Sequence, residues 1–169
     1  MDNAAQESSQ APGGVRILLI EDDAVYAEML RHRLTKEGHE VVVAGTGTEG
    51  LSRIQTFEPQ IVLLDVMLPD KDGREVLKEL AARDPDFPVV MMTAGTSVEL
   101  AVECMKLGAR DFITKPVDYE RLRVIMRNTT RLRQLERRVS VLEESLEERH
   151  SFARIVAESA KMKACLAQA

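Results

Sequence analysis

Short, continuous apolar runs alternate along this chain with longer stretches whose apolar residues recur every three or four positions. The continuous runs indicate strands buried on both faces, and the periodic stretches indicate amphipathic helices. The predicted strands are residues 15–20, 40–44, 60–65, 88–93 and 111–114; the predicted helices are residues 24–36, 46–57, 73–83 and 97–107, with a fifth after Pro116. This strict alternation predicts an α/β fold with a five-stranded, parallel, doubly wound sheet.

The predicted domain spans residues 15–131, and the sequence on either side has a different character. Residues 1–14 are rich in Ala, Gln, Ser, Pro and Gly, which predicts a disordered tail. In residues 132–150 a narrow row of apolar residues, the seam, runs through a highly charged stretch. This pattern predicts a long coiled-coil linker helix that dimerises. The seam residues are Leu132, Leu135, Val139, Leu142 and Leu146. An amphipathic helix packed on its own domain is the alternative, but it would show a broader apolar stripe.

Composition restricts the class of protein. Of the 169 residues, 44% are hydrophobic and 30% are charged, a balance typical of soluble globular proteins. The formal net charge of −5 argues against a nucleic-acid-binding face on this chain and suits a carboxylate pocket that attracts a metal ion. No apolar run approaches the roughly 18 to 20 residues needed to cross a bilayer, and the two cysteines fit no disulfide or metal framework. A cytoplasmic protein without a membrane segment is therefore expected.

Polar residues stand where the predicted strands end. Glu21 and Asp22 follow the first strand, Asp65 ends the third, Thr93 ends the fourth and Lys115 follows the fifth. In an open parallel sheet, ligands bind at the carboxyl ends of the strands, where the strand order reverses. We therefore expect these five side chains around one crevice.

Taken singly, each of these residues has an ordinary interpretation, since an acid after a strand can simply cap the next helix, as we expect for Asp23. Their joint placement favours a shared site. Two carboxylates 4 Å apart repel by roughly 4 kcal/mol at an effective dielectric of about 20. Such a cluster needs a cation, and oxygen ligands favour Mg²⁺. A phosphoryl group on Asp65 would give each of these residues a role. Asp65 would be the nucleophile, and Lys115 and the metal would stabilise the charge of the phosphoryl oxygens. Thr93 would donate a hydrogen bond to the same group.

Four segments carry a resemblance to a known family. They are ILLIEDD at 17–23, IVLLDVMLPDKDG at 61–73, MMTAG at 91–95 and DFITKP at 111–116. Together they resemble the receiver domains of two-component response regulators over residues 15–131, which implies a flavodoxin-like sheet. The resemblance also implies that a sensor histidine kinase donates the phosphoryl group from a phosphohistidine, and that hydrolysis later removes it.

The resemblance implies further residue roles at the metal site. Glu21 and Asp22 would bind Mg²⁺ together with Asp65, and Met67 would supply a backbone carbonyl. The first acid is Glu where the family more often has Asp.

It also implies a switch. Thr93 and Phe112 match the switch hydroxyl and switch aromatic, Lys115 matches the family's characteristic lysine, and Pro116 should follow a cis peptide. The alternative for Phe112 is a plain core aromatic.

The tail at residues 151–169 resembles the opening of the central ATPase domain in nitrogen-regulator-type sigma-54-dependent activators. Ser159 and Met162 fit that opening, whereas Ala157 replaces a Gly and Ala160 a common Pro. We interpret the segment as the truncated start of that domain, because it is too short to bury a core alone. This resemblance implies a homodimer through the linker helix, with a second contact through the face of helix four, strand five and helix five. For the whole protein it implies DNA and sigma-54 RNA polymerase as partners.

No phosphate-binding loop of the GxxxxGK[ST] type occurs in this sequence, so we expect a phosphoacceptor rather than an ATP-hydrolysing enzyme. Two alternatives remain. A haloacid-dehalogenase-like phosphatase would need an acid two residues after its nucleophile, where this chain has Met67. A receiver-like adaptor that works without phosphorylation would have no need of the acids, Thr93 and Lys115.

Overall fold

The computed structural model describes residues 14–84, 87–95, 97–129 and 131. Five strands alternate with helices: β1 (Arg16–Ile20), α1 (Ala24–Lys36), β2 (Glu40–Ala44), α2 (Gly47–Phe57), β3 (Ile61–Asp65), α3 (Gly73–Arg83), β4 (Val89–Thr93), α4 (Val98–Lys106) and β5 (Asp111–Thr114). A fifth helix, α5, covers residues 119–129. The five strands are parallel and lie in the order β2-β1-β3-β4-β5, which confirms the predicted fold.

Element boundaries differ from the sequence prediction by one residue in several places. Thr46 and Ser97 precede α2 and α4 rather than opening them, because their side chains accept hydrogen bonds from the backbone N–H groups of Glu49 and Leu100. Pro88 lies just outside β4, where its carbonyl accepts from Val62. The Asp23 cap is confirmed, since its carboxylate accepts from two backbone N–H groups in the first turn of α1.

The alternation of side chains along each strand divides the core into two layers. Ile17 and Leu19 of β1 point to one face of the sheet, where they pack with residues of α1 and α5. Leu18 and Ile20 point to the other face, where they pack with residues of α2, α3 and α4. Strands buried on both faces explain the continuous apolar runs in the sequence.

The predicted coiled coil at 132–150, with its seam Leu132, Leu135, Val139, Leu142 and Leu146, lies outside the described residues. The same holds for the predicted domain start at 151–169 and for residues 1–13 of the predicted tail. Within the part of the chain that is described, no helix combines the length and apolar character needed to cross a membrane.

Candidate functional site

The carboxyl edge of the sheet opens between β1 and β3. Strand β1 has β2 on one side and β3 on the other, so the chain leaves β1 and β3 in opposite directions and a crevice forms between their ends. Glu21, Asp22 and Asp65 line this crevice, and each offers a carboxylate oxygen within 4.8 Å of those of the other two. The structure thus brings together the three acids that the sequence predicted to share a site.

Lys115 bridges two of the acids. Its Nζ lies 2.6 Å from Asp65 Oδ2, to which it donates a hydrogen bond, and 2.5 Å from Glu21 Oε2. Its backbone N–H donates to the carbonyl of Thr93 at 2.7 Å, which anchors the residue to the end of β4. Burial disfavours the ammonium, but the contacts with Asp65 and Glu21 outweigh it and raise the pKa of Lys115. Lys115 therefore stays charged in the crevice.

Glu21 is almost fully buried, and its carboxylate is incompletely satisfied. Oε1 accepts a long hydrogen bond of 3.4 Å from the backbone N–H of Asp23. Oε2 lies 2.5 Å from the ammonium of Lys115, and among the described residues no other group donates to it. Burial raises the pKa of Glu21, and the nearby charge of Asp65 acts in the same direction. A buried carboxylate that shares its ammonium partner with a second carboxylate is costly to keep ionised unless a further cation compensates its charge.

The charges of the crevice suit a divalent cation. Three carboxylates and one ammonium leave two uncompensated negative charges if all are ionised. Asp22 is exposed, which leaves room for metal-bound water on its side. Mg²⁺ binds in proteins through one or a few carboxylates while keeping several waters and a phosphate oxygen. The buried Glu21 carboxylate and the clustered acids around it therefore fit Mg²⁺ better than they fit a permanently metal-free pocket.

The loop after β3 is held tightly against the strand. Met67 N donates to Asp65 Oδ1 at 3.3 Å, and Gly73 N donates to the carbonyl of Val66 at 2.8 Å. A Cβ atom at Gly73 would lie 2.1 Å from the Asp65 carbonyl oxygen, so only glycine permits this approach. The side chain of Met67 is 72% exposed, so any contribution to the metal must come from its backbone, and that role stays a prediction.

Thr93 and Phe112 occupy different environments. Thr93 is buried, and its hydroxyl accepts a hydrogen bond from Gly95 N at 3.1 Å. Phe112 is half-buried: it packs against the core layer that contains α4 and also borders an open groove of about 540 Å³. The groove is lined mainly by Val98, Ala101, Val102, Met105 and Phe112. The ring is therefore neither fully exposed nor a plain core aromatic. The predicted cis peptide between Lys115 and Pro116 is confirmed.

Two residues near the site were not found from the sequence. Asp70, in the loop after β3, accepts hydrogen bonds from the backbone N–H groups of Gly47 and Thr48 and from the Thr48 hydroxyl, at 2.6 to 2.9 Å. The hydrogen bonds from Thr48 hold the pKa of Asp70 far below its usual range. Tyr26 reaches the loop after β5 through its hydroxyl. Both contacts join segments far apart in sequence, and no local pattern signals them.

The doubly wound sheet, with three acids, a lysine and a hydroxyl at this edge, is the arrangement expected of a receiver-type signalling domain. The chain is a member of the response regulator receiver domain family, whose model matches residues 17–127. Membership of this family excludes the alternative that the chain is a haloacid-dehalogenase-like phosphatase.

Known relatives agree with the assignment. Regulatory protein LuxO of Vibrio cholerae is 41% identical over 113 residues, which are 67% of this chain and 25% of LuxO. Regulatory protein AtoC of Escherichia coli is 31% identical over 147 residues, 87% of this chain and 32% of AtoC. A receiver domain protein of Methanospirillum hungatei has a crystal structure similar to this one, with a TM-score of 0.68 and 31% identity over 73% of this chain and 99% of that one. The chain thus spans about a quarter to a third of the length of the two regulators.

Proposed function

We propose that this chain is a phosphorylation-controlled signalling module in which Asp65 accepts a phosphoryl group from a phosphohistidine on a sensor histidine kinase, with Mg²⁺ bound in the crevice. One observation carries the proposal. Lys115 bridges the buried carboxylates of Asp65 and Glu21, and this single ammonium faces three clustered acids. An acidic pocket with one built-in cation and charge left for a second is suited to transient binding of a phosphoryl group.

The residues divide the chemistry between them. An oxygen of Asp65 attacks phosphorus and forms the new O–P bond, while the N–P bond of the donor breaks and its electron pair returns to the imidazole. The ammonium of Lys115 stabilises negative charge on the transferred oxygens. Glu21, Asp22 and Asp65 would hold Mg²⁺, together with the backbone carbonyl of Met67. Bound there, the metal supplies charge neutralisation for the phosphoryl oxygens.

The new dianionic group changes the balance between two conformations. Thr93 has a hydroxyl hydrogen to donate, and phosphoryl oxygens on Asp65 would be its partner. Movement of Thr93 towards the site vacates space that Phe112 fills, since its half-buried ring can move further into the core layer. The face of α4, β5 and α5 changes with it. This is a population shift that depends on the difference in phosphate affinity between the two states.

We infer further that the whole protein is a sigma-54-dependent transcription activator of the cytoplasm. The tail resemblance at residues 151–169 supports this, as does the alignment with AtoC, whose 147 residues extend beyond the family match at 17–127. Phosphorylation would then control dimerisation through the linker helix, with the face of α4, β5 and α5 as a second contact. DNA and sigma-54 RNA polymerase would be partners of the domains beyond this chain.

Phosphorylation with a small-molecule donor tests the proposal without a cognate kinase. The chain is incubated with acetyl phosphate and Mg²⁺, and its intact mass is measured. We expect one added phosphoryl group on the wild type, none without Mg²⁺ and none on Asp65→Asn. Equal labelling of wild type and Asp65→Asn would contradict the site. A wild type that stays unlabelled would instead favour the adaptor that works without phosphorylation.

A further inference from the structure

Tyr26 lies on the inner side of α1, close to the candidate site. It precedes the buried residues Leu30 and Leu34 by one and two turns, and it packs against the core layer of α1 and α5. Its backbone N–H donates to the capping carboxylate of Asp23 at 3.0 Å, which fixes the first turn of the helix. The backbone of Tyr26 is therefore fixed in the first turn of α1, and its side chain is packed against the core.

From this position Tyr26 contacts the loop that carries Lys115 in two ways. Its hydroxyl oxygen accepts a hydrogen bond from Val117 N at 3.0 Å. Its ring centroid lies 5.0 Å from Lys115 Nζ, within the range of a cation–π interaction. Burial raises the pKa of Tyr26, so the phenol stays neutral.

The loop after β5 is thus held from two sides. On one side Lys115 N donates to the carbonyl of Thr93, and on the other Val117 N donates to Tyr26. A lysine side chain loses more rotamer entropy on ordering than most side chains. Transfer is therefore faster if the ammonium that stabilises the phosphoryl oxygens is already oriented before the donor binds. Glu21 and Asp65 contact the same ammonium at 2.5 and 2.6 Å, but both carboxylates also serve the proposed metal and phosphoryl group, whereas Tyr26 has neither role.

We propose that Tyr26 is a positioning residue for phosphoryl transfer, which orients the ammonium of Lys115 through its ring and the Lys115 loop through its hydroxyl. This rests on the proposed function, in which Lys115 stabilises the transferred phosphoryl group. The Tyr26 side chain contacts Val117 N and Lys115, and among the described residues no hydrogen bond joins it to Glu21, Asp22 or Asp65. Its loss should therefore slow transfer while leaving the metal site intact.

Tyr119 provides a matched control. It is the second of the two tyrosines in the sequence, and it packs against the same core layer as Tyr26. It too has a cation over its ring, but that cation is Arg33, whose guanidinium carbon lies 4.4 Å from the ring centroid. A general loss of packing should appear equally in variants of both tyrosines, whereas an effect on Lys115 should appear at Tyr26 alone.

The experiment compares Tyr26→Phe, Tyr26→Leu and Tyr119→Leu with the wild type. The rate of phosphorylation by phosphoramidate is measured against donor concentration at saturating Mg²⁺, and Mg²⁺ affinity is measured by titration calorimetry. We expect the maximal rate of Tyr26→Leu to fall about tenfold, from loss of both the cation–π contact and the hydrogen bond, and that of Tyr26→Phe about threefold. The donor concentration at half-maximal rate and the Mg²⁺ affinity should change less than about twofold. Tyr119→Leu should transfer at the wild-type rate despite a comparable fall in melting temperature.

A second readout does not depend on phosphorylation. In the wild type, NMR should show the side-chain methylene protons of Lys115 nearest the ammonium shifted by the ring current of Tyr26. The shift should persist in Tyr26→Phe and disappear in Tyr26→Leu. If the wild type accepts no phosphoryl group, the proposed function fails and the positioning role in transfer fails with it, whatever NMR shows. If the wild type is phosphorylated, equal rates for Tyr26→Leu and Tyr119→Leu, or a Lys115 spectrum unchanged by Tyr26→Leu, would overturn the inference alone.

Discussion

Replacement of Lys115 by Met should destabilise the metal-free protein and make its stability strongly dependent on Mg²⁺. Methionine keeps much of the length and apolar character of the side chain and removes the ammonium, with its charge and its hydrogen-bond donors. Without the ammonium, Glu21 and Asp65 lose contacts of 2.5 and 2.6 Å while remaining almost fully buried. The crevice then holds three carboxylates within 4.8 Å of one another, and the ammonium that neutralised part of their charge is gone.

The magnitude follows from the burial of the partners. Removal of one member of a buried ion pair typically costs about 3 to 5 kcal/mol of unfolding free energy. The side chain of Lys115 is 17% exposed, so water can partly replace the ammonium and the lower end, about 3 kcal/mol, is expected. Mg²⁺ at a hundred times its dissociation constant should return about 2.7 kcal/mol by binding only the folded state.

The cost should depend on pH, because Glu21 can escape repulsion by taking up a proton. Its pKa in the folded protein is raised above the ordinary value of 4.5, mainly by burial, and loss of Lys115 raises it further. An acid with a raised pKa in the folded state contributes stability that is fully present below its ordinary pKa. That stability is lost as pH rises through the raised pKa. The variant should therefore lose less at pH 5 than at pH 8.

Urea denaturation measures these effects at both pH values, with and without Mg²⁺. The matched control is Lys71→Met, because Lys71 pairs with Glu79 on the surface at 2.9 Å, and such pairs contribute about 0 to 1 kcal/mol. Lys115→Met could instead prove as stable as Lys71→Met in metal-free buffer, or lose as much stability at pH 5 as at pH 8. Either result would refute the claim that Lys115 offsets the repulsion between the buried carboxylates.

Three further predictions concern other parts of the chain. Gly73→Ala should cost at least about 2 kcal/mol in urea denaturation and weaken Mg²⁺ binding in calorimetry, because the new Cβ would collide with the Asp65 carbonyl; unchanged values would contradict the close approach. Burial lowers the pKa of His39 below its ordinary 6.5, so its contribution to stability is full above pH 6.5 and is lost as pH falls through the lowered value. His39→Asn should flatten that part of the pH–stability curve, and an unchanged slope would exclude the effect. Polar residues at Leu135 and Leu142 should convert a dimer to a monomer in sedimentation; a monomeric wild type would rule out the coiled coil.

The fold was predictable because local and global signals agree. The buried part of β1 (Arg16–Ile20) is apolar because helices cover both faces of the sheet, and β1, β3 and β4 end in or lead into an acid or hydroxyl at the edge where ligands bind. The first four helix starts were predictable to within one residue, and Asp23 was recognised as a cap, whereas Ser97 was placed inside its helix rather than before it. Such features depend on neighbours in sequence, which a single chain reveals.

The details of the site depend on contacts between distant residues, and these were not predictable. The sequence placed Lys115 near the acids but gave no sign that it would contact the buried carboxylates of Glu21 and Asp65 together, at 2.5 and 2.6 Å. The hydrogen bonds of Asp70 to α2 and of Tyr26 to Val117 join residues 22 or more positions apart. Nothing in the local pattern around either residue distinguishes it from an ordinary loop acid or core aromatic.

Chemical identification of the phosphorylated residue tests the central claim most directly. The chain is phosphorylated with acetyl phosphate and Mg²⁺, the acyl phosphate is reduced with borohydride, and the product is digested and sequenced by tandem mass spectrometry. Reduction converts a phosphorylated aspartate into homoserine and leaves free aspartates unchanged. The account predicts homoserine at position 65 and at no other aspartate. Homoserine at position 22, 23 or 70 instead, or at none, would contradict it.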